Sequence, residues 1–472
     1  MNTTTSRFTV ALSLALASVT ASAADGDLDP AFGMGGIALA GITDATGGVS
    51  ACRPVVQPDG KILLCGTRAS GTTADFFVAR FTADGALDTS FSFDGRTTID
   101  FSGSGGIDVA MALALQADGK IVVAGTTNAD GGATHDDFAV ARLNADGTLD
   151  TTFGAGTGKK VIAFDLAGGS GNDDLASVAI QGDGRIVLAG TVATSNHGTD
   201  IGVARLLSDG TPDASFNLAG KLGFGFDLPG STSMNDAATR VAIDHQGRIV
   251  VAGAADKGND SEGSDFAVAR VRPNGTLDPD FDADGRATIA FDLGFDKADA
   301  VFGLAIGPDD SLVLSGNVEV SPSLPTNQDV GVVKLLPDGS PDANFGIGGR
   351  TVVTYDEIPG GLDYGLDVGL RADGRILVAG ATQYAGDGSL HATLFRLEPD
   401  GDLDASFGMI GRRSYDFEHT LPSSQAFLGL ALAGDFILAS GIVIVDTGAN
   451  SIDVFVARMT DDTIFANGFD AP

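Results

Sequence analysis

A nine-residue phrase, GDGRIVLAG at Gly182–Gly190, recurs throughout the chain. The copies fall about sixty residues apart, and the two chain ends carry complementary fragments of the repeating unit. These three observations predict an all-β fold. It is a seven-bladed β-propeller of four-stranded antiparallel blades, closed by an N-terminal strand that completes the last blade.

The other copies are PDGKILLCG from Pro58, ADGKIVVAG from Ala117, HQGRIVVAG from His245, PDDSLVLSG from Pro308, ADGRILVAG from Ala372 and a shortened GDFILASG from Gly434. They end at Gly66, Gly125, Gly190, Gly253, Gly316, Gly380 and Gly441. The 67 glycines of this 472-residue chain therefore read as recurrent tight turns rather than disorder, because 43% of the residues are hydrophobic and can fill a core.

In chain order, the first element is MNTTTSR followed by the apolar FTVALSLALASVTASA, ending in Ala21-Ser22-Ala23. One arginine, a short apolar run and a small-x-small end make residues 1–23 a signal peptide, with mature protein from Ala24. The expected location is the periplasm, the cell surface or the medium of a Gram-negative bacterium. No later stretch has the length of a membrane helix. An orphan corner and strand follow, LDPAFGMGGIALAG, Leu28–Gly41.

Each unit then supplies four strands. Strand A alternates, as in LASVAI (Leu175–Ile180), and an Asp-Gly hairpin follows in which both residues tolerate positive φ. Strand B, RIVLAG, is apolar enough to be buried on both faces. Strand C reads DFAVARL in Asp137–Leu143, and a second turn leads to a Phe-Gly corner and strand D, as in Gly285–Leu293. After the last strand C, Asp453–Met459, no strand D remains, so the orphan strand at the other end supplies it. The propeller spans 24–460 and a tail 461–472. A linear solenoid would leave the complementary ends unexplained.

The units [P/A]DG[K/R]I-x-x-x-G, DFxVARL and DGxLDxxFGxxG resemble the delta-60 repeat, a bacterial β-propeller family, from Leu28 to about Met459. The resemblance implies the fold and no particular activity.

A residue in every blade serves the blade. Arg80, Arg142, Arg205, Arg270, Lys334, Arg396 and Arg458 share one place in strand C, and Asp29, Asp88, Asp150, Asp213, Asp278, Asp342 and Asp404 share the corner, so a repeated charge pair is expected. The corner phenylalanines read as core plugs. Cys52 and Cys65 flank the first hairpin and are either a disulfide or two small buried residues.

The B–C and D–A loops vary between blades and share one face, where binding is expected. There Asp108, Asp173, Asp236, Asp299 and Asp363 recur before strand A. Asp75, Asp137, Asp200, Asp265, Asp329 and Asp453 recur at strand C, with His391 in the remaining blade. These acids either cap their loops or bind a cation, calcium first because oxygen ligands dominate. A sharper calcium candidate is DFDADG, with Asp280, Asp282 and Asp284 at alternate positions.

The net charge of −34 excludes a nucleic-acid partner. The five histidines form no zinc spacing, no Gly-Lys pair is followed by Ser or Thr, and no G-x-S-x-G is present. The expected role is an exported, non-catalytic binding module whose partner is an extracellular protein, a glycan or a cation. The alternative is a secreted hydrolase or lyase acting on polysaccharide or peptide in the central channel.

Overall fold

The computed structural model describes residues 24–42, 50–103, 105–128, 135–164, 171–194, 198–226, 228, 235–258, 263–291, 293, 298–320, 327–354, 360–386, 388–417, 425–445 and 451–461. Residues 1–23, read from the sequence as a signal peptide, the tail beyond Asp461, His197 and His419 lie outside them.

The strands form seven four-stranded antiparallel sheets, each in simple sequential order except the last. Blade 4 is representative, with strands Ala237–Ile243, Ile249–Asp256, Ser264–Val271 and Arg286–Ile289. Blade 7 takes Ala426–Ala433, Phe436–Val445 and Ser451–Thr460 from the chain end and its outer strand, Ile37–Leu39, from the beginning. That strand pairs antiparallel with the last one, Ile37 opposite Ala457. The ring is closed as the orphan ends require. One short 3₁₀ turn, Gly154–Gly156, is the single helical element among the described residues.

The core is divided among the blade interfaces. Seven apolar clusters each join two neighbouring blades, such as Val187, Phe216, Val241 and Val251 between blades 3 and 4. Packing of this kind recurs between blades 7 and 1, where Phe32, Leu64, Phe77 and Val456 meet.

Two local features differ from expectation. In the A–B hairpin one residue is left-handed, the glycine in six blades and Asp310 in blade 5. Gly60, for example, has φ 81° and closes on the Gln57 carbonyl at 2.9 Å, while Gln57 N–H bonds the Lys61 carbonyl at 2.8 Å. This is a type I turn with a glycine bulge, and Asp59 accepts from Lys61 N–H rather than taking positive φ. Strand A is also bulged, with a register shift between Ala238 and Arg240 and at the same place in five other blades. The bulge explains the last glycine of the repeated phrase. A Cβ on Gly253 would lie 1.9 Å from the Ala237 carbonyl oxygen, and one on Gly125 1.9 Å from that of Val109.

The repeated charge pair forms within each blade. Arg142 Nε donates to Asp150 at 2.7 Å, Arg205 to Asp213 at 2.8 Å and Arg458 to Asp29 at 2.8 Å. The same arginines stack on the corner rings, with Arg142 4.9 Å from the Phe153 centroid. They also reach the next blade, where Arg142 bonds the Ser208 carbonyl and Arg205 that of Pro273. The hairpin Lys or Arg joins the pair, as Lys120 does with Asp150 at 2.7 Å.

Candidate functional site

The aspartates that open strand A are buried clasps. Asp108 accepts from Phe101 N–H at 2.7 Å and from Thr127 Oγ at 2.5 Å. Asp173 accepts from Phe164 N–H, Asp236 from Phe226 and Asp256 N–H, and Asp299 from Phe291 and Glu319 N–H. Each thus ties the end of one blade's strand D to the start of the next blade, and Asp363 is equally buried. In blade 7 Gln425 takes this place, accepting from Phe417 N–H at 3.0 Å. The capping alternative describes these residues. Their buried carboxylates do not form a ring on the surface of the variable-loop face. His391 stacks on Tyr384 with centroids 4.5 Å apart.

The DFDADG segment does not converge on an ion. Asp280 is 81% exposed and pairs with Arg272 at 3.0 Å, while Asp284 pairs with Arg286 at 2.9 Å. Asp282 stands at φ 45° at the corner, where its N–H bonds the Asp338 carbonyl. The corner's blade-to-blade tether fixes this backbone, Asp280 and Asp284 are each taken by an arginine, and burial together with repulsion from Asp284 and Asp338 pushes the Asp282 carboxyl up.

Another acidic group does converge. Asp75 from strand C and Asp100 from the end of strand D in blade 1 meet Asp108 of blade 2, with ligand oxygens within 4.8 Å of one another. Burial and mutual repulsion push the Asp75 and Asp108 carboxyls up. N–H donors of Gly103 and Ser102 pull Asp100 down against its own burial. This group could hold a metal.

Cys52 and Cys65 form a disulfide, with Cα atoms 5.2 Å apart. It fastens the segment ahead of the short first strand A, Val55–Val56, to strand B.

The next residue, Arg53, belongs to a set the motif reading passed over. Thirteen residues before the final glycine, or twelve in the shortened seventh unit, stand Arg53, Ala112, Ser177, Arg240, Gly303, Asp367 and Gly429. In six blades this residue directly follows the strand A bulge, where it pairs with strand B as Arg240 does with Ala252. Three of the seven are charged, and the inner strands bring these three together. Arg53 Nε donates to Asp367 Oδ2 at 2.7 Å, and its Nη2 donates to Oδ1 and to the Val368 carbonyl. Arg240 Nε lies 3.9 Å from the same carboxylate. Asp367 also accepts from Leu430 N–H at 2.7 Å and is fully buried. Glycines make the approach fit: a Cβ on Gly429 would sit 2.5 Å from Arg53 Cα, and one on Gly303 2.7 Å from Val368 N.

Blades 1, 4 and 6 are thereby joined across the channel. On the loop side lies a chamber of about 380 Å³ lined by Ser50, Arg53, Met111, Ser177 and Arg240 among others. On the hairpin side lies one of about 370 Å³ with Arg53, Leu304, Val368 and Leu432 in its wall. Burial opposes the charge on both arginines. Asp367 outweighs it at Arg53, whose pKa is raised. Burial prevails at Arg240, aided by Arg53, and its pKa is lowered. An alignment of the seven units on their final glycine would have shown this set, because three charges interrupt a row of Ala, Ser and Gly.

Six segments, 57–91, 116–153, 181–216, 247–281, 307–345 and 371–407, match a family model described as a domain of unknown function (DUF5122) beta-propeller. Each runs from the A–B hairpin to the corner phenylalanine of one blade, so the chain carries repeats of a β-propeller family. No curated protein matches by sequence. Among solved structures, an ulvan lyase from a new family of polysaccharide lyases, bound to a GlcA–Rha3S unit, is similar. It has a TM-score of 0.50 and 11% identity over 91% of this chain and 94% of that chain. The polysaccharide lyase Uly1 has a TM-score of 0.47 and 12% identity over 87% and 90%. An α-L-arabinanase of Penicillium chrysogenum has 0.43 and 11% over 73% and 91%. At such identities the likeness shows the fold alone.

Proposed function

We propose that these propeller repeats serve an exported, non-catalytic binding protein, which engages its ligand at the loop-side mouth of the central channel. The observation that carries this reading is the Arg53–Asp367–Arg240 set, in which three inner strands break their repeat with charges that meet. Repeated residues account for the blades, and this set is surplus to that account. Among the described residues, Arg53 and Arg240 are the ionisable side chains lining the two chambers. Asp367 is committed to Arg53 and two backbone N–H groups. Two always-charged guanidinium groups and an engaged carboxylate supply recognition better than proton transfer. The lyase or hydrolase reading draws on the fold of the polysaccharide lyases, which many unrelated functions share.

The test is an array of oligosaccharides and peptides probed with protein starting at Ala24 and with Ser177→Trp, which fills the loop-side chamber. The array is run with calcium and again with chelator, since the Asp75, Asp100 and Asp108 group could make binding cation-dependent. Ligands retained by the parent and lost by the variant are expected. Equal retention by the variant would place binding elsewhere, and shortening of a retained oligosaccharide during incubation would overturn the non-catalytic reading.

A further inference from the structure

We propose that the loop-side chamber is a carboxylate site, in which Arg240 and the open edge of Arg53 receive the single carboxylate of a small organic or sugar acid. This rests on the channel-binding reading above and names the chemistry of its ligand.

Charge is the first argument. The set holds two guanidinium cations and one carboxylate, so it carries one unit of positive charge inside a protein of net charge −34. A cleft with apolar walls focuses such a field, and one monoanion neutralises it. A dianion would leave the site with excess negative charge in a strongly acidic protein.

Geometry is the second. Asp367 shows what the site accepts, because its two oxygens sit on Arg53 Nε and Nη2 in the paired arrangement that a guanidinium offers a carboxylate. Among the described residues, Arg240 has no equivalent partner. Its Nη1 donates to the Thr239 carbonyl at 3.1 Å, its Nη2 reaches the Leu366 carbonyl at 3.5 Å, and Nε stays beyond hydrogen-bond distance of Asp367. A half-buried guanidinium so weakly served gains most from an added anion. Arg53 leaves 40% of its side-chain surface open. Ser50 and Ser177 add hydroxyls to the chamber wall.

Position is the third. Arg53 follows Cys52, whose disulfide to Cys65 and whose carbonyl bond from Ser440 Oγ at 2.7 Å hold this stretch in place. The chain's one cysteine pair therefore braces the residue that reaches across the channel, which reduces the entropy cost of ordering the site.

The experiment is calorimetric titration of the Ala24-start protein with sodium glucuronate, sodium acetate and glucose. Glucuronate is expected to bind and glucose not. Acetate binding as tightly as glucuronate would show that recognition stops at the carboxylate, while weaker acetate binding would assign a sugar acid; both support the proposal. Arg240→Ser copies the residue of blade 3 and so suits the fold. It is expected to weaken glucuronate at least about tenfold, the usual loss when a charged partner is removed. Asp367→Asn releases the Arg53 fork and is expected to strengthen binding several-fold. Equal binding of glucose and glucuronate, no binding of either acid, or an unchanged Arg240→Ser would overturn the carboxylate assignment. Array ligands lost in Ser177→Trp would still uphold channel binding in that event.

Discussion

A corner aspartate and a clasp aspartate show how one residue type takes different charge states from its surroundings. Asp88 is buried, yet hydrogen bonds from Ser90 and the charge of Arg80 hold its carboxyl down at about 2. Burial pushes Asp299 up to about 7, and two backbone N–H donors only partly offset it. The linkage has opposite signs for the two. Asp88 contributes stability above the unfolded carboxyl value, and that contribution is lost as pH falls through its depressed pKa. Asp299 is protonated in the folded protein at mildly acidic pH, so its contribution is present below the unfolded value and declines as pH rises toward 7. Between pH 5 and 7 the decline amounts to roughly 2 to 3 kcal/mol. Asp299→Asn mimics the protonated acid and should flatten this part of the stability profile. Urea unfolding at pH 5, 6, 7 and 8 checks it: a variant with the parent's slope would show that Asp299 does not titrate there.

At the scale of the element, strand C and the corner after it form the joint between blades. Arg142 holds Asp150, lies over Phe153 and bonds the Ser208 carbonyl of the following blade. Arg142→Ala should cost roughly 3 kcal/mol, near the low end for a broken buried pair because Lys120 still serves Asp150. Arg142→Lys copies blade 5, where Lys334 meets Asp342 at 3.1 Å. It should cost about 1 kcal/mol, the loss of ring stacking and of the second donor. Parent-like urea midpoints for both variants would remove the joint from the account. This joint was legible in the sequence because repetition placed seven basic residues and seven acids at fixed spacing. The strand order and closure were legible for the same reason. The bulge was not, since it adds one residue without altering the alternation of LASVAI-type strands. The channel set was obscured because its three charges come from blades 1, 4 and 6, far apart in the chain and meeting only once the ring closes. The DFDADG segment reads differently in three dimensions because alternate carboxylates mark a calcium loop only when they gather on one ion, and here Asp280 and Asp284 are each held by an arginine.

The whole molecule depends on one joint made between chain ends. The first strand pairs with the last, Asp29 serves Arg458, and Phe32 fills the interface toward blade 1. Arg396 takes Asp25 at 2.7 Å, and Tyr415 Oη donates to the Gly26 carbonyl at 2.6 Å. Asp453 accepts from Gly41 and Ile42 N–H. Removal of residues 24–41 would strip a strand from blade 7, leave Arg458 and Arg396 buried without these carboxylates, and expose the edge of Ser451–Thr460. Every other blade would keep its own contacts, so the loss belongs to the ring and not to one unit. In a closed ring an opened interface weakens all the others, whereas in a linear array the loss of a terminal strand stays local. The truncated protein should therefore melt well below the parent in one broad transition and self-associate through the free edge. A peptide of residues 24–41 supplied in excess should restore the parent's melting temperature by mass action. A truncated protein that melts with the parent would show that the N-terminal strand decorates the ring without closing it.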